Sequence, residues 1–309
     1  MLCREFLSVA MQQKVFAKWG ASSVERIKEN PYRLCEEFDG IGFERADRFA
    51  QTLGVTADSE LRLRSGIGYV LNESARNGGH SFLPWNRLVP LAAQTLGATQ
   101  DKVSTTLDEL VLAGKLSRVK VGNLDAVYDS ASLRCEMEIE EKLDLLDRLC
   151  PRIEAGDVER FITRIELEED KKYHALQRKA ISDAINSGVM VLTGGPGTGK
   201  TTVIRAVIRV YESMDMRVAL AAPTGRAAKR MSEATQTEAK TIHRLLETDF
   251  TDGKRDNFKK NENDLLEEDV IIIDEASMID MFLMNSLLKA IKPGARLMLI
   301  GDADQLPSV

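Results

Sequence analysis

Residues 194–201 read Gly-Gly-Pro-Gly-Thr-Gly-Lys-Thr, and what flanks them constrains the chain as much as the octet itself. The apolar run Val189–Leu192 leads in, and the helical pattern Thr202–Tyr211 leads out. Strand, glycine-rich turn and helix, in that order, form the setting in which such an octet makes a phosphate-binding loop. Glycines let successive backbone N–H groups point at an anion, and the helix N-terminus adds favourable potential. Gly195, Pro196, Gly197, Thr198, Gly199, Lys200, Thr201 and Thr202 are therefore the expected cradle of a nucleotide. Lys200 is expected to reach the β- and γ-phosphates and the Thr201 hydroxyl to ligate Mg²⁺, which makes ATP and Mg²⁺ the implied cofactors. A turn with an exposed lysine is the bland alternative, and it leaves the agreement of octet and setting unexplained.

Three further apolar runs, Val218–Ala222, Val270–Ile273 and Leu297–Ile300, alternate with helical segments after residue 171. Short continuous runs of this kind fit buried parallel strands, so the expected fold class from 171 to 309 is α/β. Asp274-Glu275 closes one of these strands, at the sheet edge where α/β proteins bind ligands. Asp274 fits the Mg²⁺-holding carboxylate, and Glu275 fits the base that polarises an attacking water. Gln305 follows the last strand in Gly301-Asp302-Ala303-Asp304-Gln305-Leu306-Pro307. It reads equally well as a γ-phosphate sensor or as part of a polar turn. Pro223-Thr224-Gly225-Arg226, followed by Lys229 and Arg230, leaves a strand and enters a helix. That arrangement suits a nucleic-acid phosphate, with a solvated basic helix as the alternative for Lys229 and Arg230.

The first half reads differently. Residues 1–56 are expected to be helical, with Met11–Trp19 and Ser23–Glu29 as short amphipathic stretches and Ser22 or Ser23 as an N-cap. Gly40-Ile41-Gly42 links two short helices, the second running over Phe43–Leu53. Gly40 and Gly42 are candidate backbone donors to a DNA phosphate, or the turn of a hairpin that only packs. In 57–134, helices at Leu61–Asn77, Trp85–Leu96 and Asp101–Ala113 precede a strand pair at Leu116–Tyr128, turned at Gly122-Asn123, with a short strand expected within Gly78–Pro84. This is a winged-helix outline, for which packing is the favoured role.

Global charge does not exclude a nucleic acid. The chain carries a formal −6, but residues 135–170 hold thirteen acidic residues against five basic ones. With Ile139, Leu143, Leu146 and Leu149 at helical spacing, that stretch reads as an acidic helical connector. Aromatic residues are 6% of the chain, too few for a surface built mainly on base stacking. Four cysteines without CxxC spacing and three isolated histidines suggest reduced thiols rather than zinc or disulfides. Arg4 and Glu5 interrupt any secretory h-region, and no apolar run spans a bilayer, so a cytoplasmic protein without membrane contact is expected.

Five stretches in order, LTGGPGTGKTT (192–202), APTGRAAKRM (222–231), TIHRLL (241–246), VIIIDEASMID (270–280) and GDADQLPSV (301–309), resemble the RecD-like (RecD/TraA) family of superfamily 1 helicases. NPYRL and GIGFERAD (30–47) are similar to the helix-hairpin-helix segment of stand-alone members. The resemblance implies a RecA-like motor domain preceded by helix-hairpin-helix and winged-helix-like parts. It also implies an ATP-driven motor moving 5′→3′ on single-stranded DNA and opening duplex junctions. It assigns Gln177 to adenine recognition and places His243, in TIHRLL, among the DNA-facing residues. Segment 247–268 lies where the family inserts a strand-separating β-hairpin, although its composition here is polar and weakly β-forming. The chain stops at Val309, before the second motor domain of the family, so Mg·ATP binding with weak hydrolysis is expected, and a monomer. A nucleotide-gated DNA-binding module that acts only with a partner is the competing reading.

Overall fold

The computed structural model describes residues 6–38, 40–195, 197–248 and 257–302. The chain divides into two compact units, Met1–Leu133 and Arg134–Val309.

The first unit opens with helices α1 (Val9–Trp19), α2 (Ser23–Glu29), α3 (Arg33–Glu37) and α4 (Phe43–Thr52). Ser8 caps α1 by accepting the Met11 N–H at 3.3 Å. Ser22 occupies the cap position of α2, yet its hydroxyl donates to the Trp19 carbonyl. Helices α5 (Glu60–Gly78), α6 (Trp85–Leu96) and α7 (Gln100–Leu112) follow, with strands β1 (Leu83–Pro84), β2 (Leu116–Val121) and β3 (Leu124–Asp129). The strand expected within 78–84 shrinks to two residues, because α5 runs on to Gly78 and stops at Gly79 in a left-handed conformation (φ 64°). The sheet order is β1-β3-β2, and the hairpin turns at Gly122-Asn123. Tyr32, Leu34 and Phe49 are buried in the same core as Ile67, Leu88, Leu107 and Val127. The boundary expected at residue 56 thus falls inside one continuous core.

Helix α8 (Ser130–Leu149) carries the division between the units, and α9 (Ala155–Glu168) follows it. The acidic stretch 135–170 is therefore two helices, broken where Pro151 interrupts the backbone ladder. It is more than a solvated connector, because its apolar stripe is buried in the second unit. Leu146 of α8 belongs to one core cluster, and Val158, Ile162 and Ile165 of α9 belong to another.

The second unit continues with α10 (Ala175–Asn186), β4 (Val189–Thr193), α11 (Lys200–Ser213), β5 (Val218–Ala222), α12 (Gly225–Thr235), β6 (Ala239–Thr241), α13 (Ile242–Leu245), β7 (Val270–Ile273), α14 (Met281–Ala290) and β8 (Arg296–Gly301). The strands form one sheet of order β4-β8-β7-β5-β6, parallel at every pairing. Successive strand residues alternate between faces. Leu220, Ile272 and Met298 pack with α9, α10 and α11, whereas Ala219, Ala221, Ile271, Ile273 and Leu297 pack with α8, α13 and α14. Because all five strands run one way, their C-terminal ends share one edge. The phosphate loop, Pro223-Thr224, His243, Asp274 and Asp302 all follow that edge.

Around the 247–268 segment, Thr248 bridges Phe258 in antiparallel fashion, and the Lys260 N–H donates to the Leu246 carbonyl at 3.1 Å. The stem of this insertion is therefore paired, and residues 249–256 lie outside the described residues.

Candidate functional site

The phosphate loop follows β4 and ends at Gly199, the N-cap of α11. Gly197 and Gly199 sit at φ 77° and 88°, a region that costs any other L-residue energy. Thr198 Oγ1 donates to the Gly195 carbonyl at 2.9 Å and folds the loop on itself. The Lys200 ammonium turns beneath the loop, donating to the carbonyls of Gly194 and Gly195. Thr201 and Thr202 begin α11, with the Thr202 N–H on the Gly199 carbonyl at 3.0 Å. Pro196 lies outside the described residues.

Asp274 leaves β7 with its N–H bound to the Ala221 carbonyl at 3.0 Å, and its Oδ1 accepts the Glu275 N–H at 2.9 Å. Burial pushes the Asp274 carboxyl above the ordinary aspartate range, and the neighbouring Glu275 charge adds to the rise. The Glu275 N–H, Arg230 and Lys200 work in the opposite direction. Glu275 itself is a non-glycine residue in the left-handed region (φ 54°). A cavity of about 240 Å³ gathers Lys200, Thr201, Arg230, Asp274, Glu275 and Asp302. The sequence-derived catalytic set thus converges in one place, except Gln305, which lies outside the described residues.

Among the described residues, no three His, Cys, Asp or Glu side chains converge to hold a metal by themselves. Mg²⁺ commonly takes only one or two protein ligands and completes its shell with phosphate oxygens and water. Thr201 and a desolvated Asp274 beside the phosphate loop fit an ion that arrives with its nucleotide. Gln177 stands in the first turn of α10, where its Oε1 accepts the His174 N–H at 3.1 Å. A Cβ on Gly199 would lie 2.6 Å from Gln177 Nε2, so the side-chain amide rests against the end of the loop.

The candidate nucleic-acid residues fall into two places. Thr224 caps α12, accepting the Ala227 N–H at 3.2 Å, with Gly225, Arg226 and Lys229 exposed on that helix. The Thr224 oxygen is thus engaged in the cap. Lys229 faces Glu233 at 3.9 Å. His243 tilts against Phe258, ring centroids 5.7 Å apart, at the stem of the insertion. In the first unit, Gly40 adopts φ 92° and Gly42 caps α4, the latter with open space where a side chain would be.

Sequence reasoning missed the partner of Glu275. Arg230 Nη2 donates to Glu275 Oε1 at 3.0 Å, which draws Arg230 into the nucleotide site. Forty-five positions separate the two residues, and only the adjacency of β5 and β7 brings them together.

Residues 5–82 match the family described as the ATP-dependent RecD2 DNA helicase HHH domain, and residues 177–309 match an AAA domain. The ATP-dependent RecD2 DNA helicase of Deinococcus radiodurans is 32% identical over 98% of this chain. Over nearly its whole length the chain is similar to RecD-like helicases. The RecBCD enzyme subunit RecD of Mycobacterium tuberculosis is 44% identical over 43% of the chain, and that of Haemophilus influenzae 35% over the same share. The chain spans 42% of the length of the Deinococcus relative and about a quarter of the RecD subunits. No described helix is long and apolar enough to cross a membrane.

Proposed function

We propose that this chain is the part of an ATP-dependent DNA helicase that binds Mg·ATP and grips single-stranded DNA, working as a monomer at duplex junctions in the 5′→3′ direction. The observation that carries the reading is the convergence of Lys200, Thr201, Asp274 and Glu275 in one cavity at the C-terminal edge of the parallel sheet. Lys200 and the N–H groups opening α11 bind the phosphates, and Gln177 recognises the adenine through its side-chain amide. Thr201 and Asp274 hold Mg²⁺, which supplies charge neutralisation across the phosphates. Glu275 orients and deprotonates the attacking water. Pro223, Thr224, Gly225, Arg226 and Lys229, with His243, follow the same sheet edge and supply phosphate contacts that carry no sequence information. Gly40 and Gly42 offer backbone contacts in the first unit.

Steady-state ATP hydrolysis by the 309-residue chain, with and without single-stranded DNA, tests the reading against a Lys200→Ala control. Weak turnover that depends on Lys200 is the expected result. Turnover indifferent to both Lys200 and DNA overturns it, and phosphate transfer to a small acceptor in place of water assigns the loop to a kinase.

A further inference from the structure

The ion pair between Arg230 and Glu275 joins two parts of the molecule with different tasks. Glu275 is mostly covered, its side chain 18% exposed, and lies beside the nucleotide loop. Arg230 is 63% exposed and belongs to α12, whose first residues leave the sheet edge. Arg226, Lys229 and Arg230 stand at i, i+3 and i+4, so they share one face of that helix, and all three are exposed. Arg226 and Arg230 are separated by about one helical turn, roughly 5–6 Å. A strand that places one phosphate at the Thr224–Arg226 end brings its neighbour within reach of the Arg230 side chain. A guanidinium presents the same planar fork to a carboxylate and to a phosphate, and a single charge serves one of them at full strength.

We propose that Arg230 is a positioning residue shared between Glu275 and a single-stranded DNA phosphate, so that DNA on α12 withdraws the guanidinium and releases the base. This rests on the reading that α12 faces DNA and that Glu275 serves the attacking water. Without DNA, the carboxylate is held in an ion pair and presents less charge to the water. With DNA, the pair opens, and hydrolysis is favoured only when a strand is engaged. Because coupling is reciprocal, Glu275 must lower DNA affinity through Arg230 by the same factor that DNA loosens the pair. That reciprocity is measurable without turnover.

The experiment is fluorescence anisotropy of a labelled oligothymidine across a salt series. It uses the wild-type chain, Arg230→Gln, Glu275→Gln and the double variant, each shown to be folded by its circular-dichroism melt. Glu275→Gln should bind about fivefold more tightly at low salt, the scale of one exposed ion pair. Its log–log salt dependence should steepen by about 0.7, one further phosphate contact on a single strand. Both changes should vanish in the double variant. A gain that survives Arg230→Gln is mere removal of a negative charge, and it overturns the proposal, as does no gain at all. If none of the four proteins binds DNA while all bind a labelled ATP analogue, the DNA reading of α12 fails and takes this proposal with it. Binding without the Arg230-dependent difference overturns the proposal alone.

Discussion

Arg62 grips Asp47 with two parallel hydrogen bonds, Nε to Oδ1 at 2.8 Å and Nη2 to Oδ2 at 3.1 Å, inside the core of the first unit. The Tyr32 hydroxyl adds a third donor to Asp47 at 2.6 Å, and Arg62 also donates to the carbonyls of Ala57 and Leu96. Both side chains are almost fully covered, at 10% and 12% exposure, so the two charges stabilise the fold only as a pair. The burial and the Asp47 carboxylate together raise the Tyr32 phenol far above its ordinary range. The cluster ties the hairpin helices to α5 and α6. Asp47→Ala leaves a buried guanidinium without its counter-charge and should cost about 3–5 kcal/mol. Urea unfolding of the chain checks this. A loss under ~1 kcal/mol, the scale of an exposed pair, would mean that water already reaches the site.

Lys200 and Glu275 should separate binding from chemistry. Lys200→Ala removes a cation from the phosphates, and charge-assisted hydrogen bonds of this kind are worth about 1.5–3 kcal/mol, so Mg·ATP affinity should fall about tenfold or more. The fold should persist, since the ammonium bonds only loop carbonyls. Glu275→Gln should keep nucleotide affinity within a few-fold while any hydrolysis disappears. Titration with a fluorescent ATP analogue, beside phosphate release, reads both. Undiminished turnover in Glu275→Gln would assign the base elsewhere.

Gly188 is where α8 meets the sheet. A Cβ built there would collide with the Leu146 carbonyl oxygen and stand 2.6 Å from the Asp147 Cα, both backbone atoms with no freedom to turn aside. Asp147 Oδ1 accepts the Gly188 N–H at 3.1 Å, and the Leu297 N–H bonds the Gly188 carbonyl at 2.8 Å. Gly188→Ala should therefore push α8 off the start of β4 and destabilise the second unit by more than about 2 kcal/mol, the upper range for a forced backbone shift in a packed interior. Gly195→Ala, with open space around it, should leave the melting temperature unchanged. Thermal melts of the two variants, compared directly, decide it.

How much of this was legible in the sequence depended on whether the signal was local. The start of α11 at Lys200, the strands at Val189, Val218, Val270 and Leu297, and the Gly122-Asn123 hairpin are each set by a few adjacent residues, and they stand within a residue of where their patterns put them. β6 leaves no readable pattern, because Ala239–Thr241 is three residues long, at the sheet edge, with a lysine in its middle. The burial of the acidic stretch is less legible, because helical spacing marks an apolar face without saying what covers it. Several of its carboxylates pair with basic residues, as Glu138 does with Lys289 at 2.7 Å, while Leu146 and Ile162 are buried. Arg230 was legible only as part of a basic helix. Its ion pair depends on the parallel pairing of β5 with β7, a long-range register that no short pattern encodes. Gln177, by contrast, carries a local signal, since a glutamine three beyond an N-cap closes a capping box, here with His174.

Glu166 gives the molecule a pH-dependent brace beside the nucleotide site. Its Oε2 pairs with Arg178 Nη1 at 2.5 Å, and its Oε1 accepts the Tyr173 N–H at 2.9 Å, so α9 holds the start of α10, where Gln177 sits. The Arg178 hydrogen bond holds the Glu166 carboxyl below its ordinary value, with burial opposing and the Tyr173 N–H assisting. A carboxylate depressed in the folded state binds its proton more readily in the unfolded chain, so its contribution is complete above the ordinary glutamate value, about 4.3. It is lost as pH falls through the lower folded value. Glu166→Gln should cost about 1–3 kcal/mol at neutral pH, the scale of a hydrogen bond to a charged partner. The gap from wild type should close in acid and stay constant from pH ~6 upward. Urea midpoints of the two proteins across that range are the measurement. A gap that widens in acid would mean that Glu166 is protonated in the folded protein and that Arg178 is held by Glu159 alone.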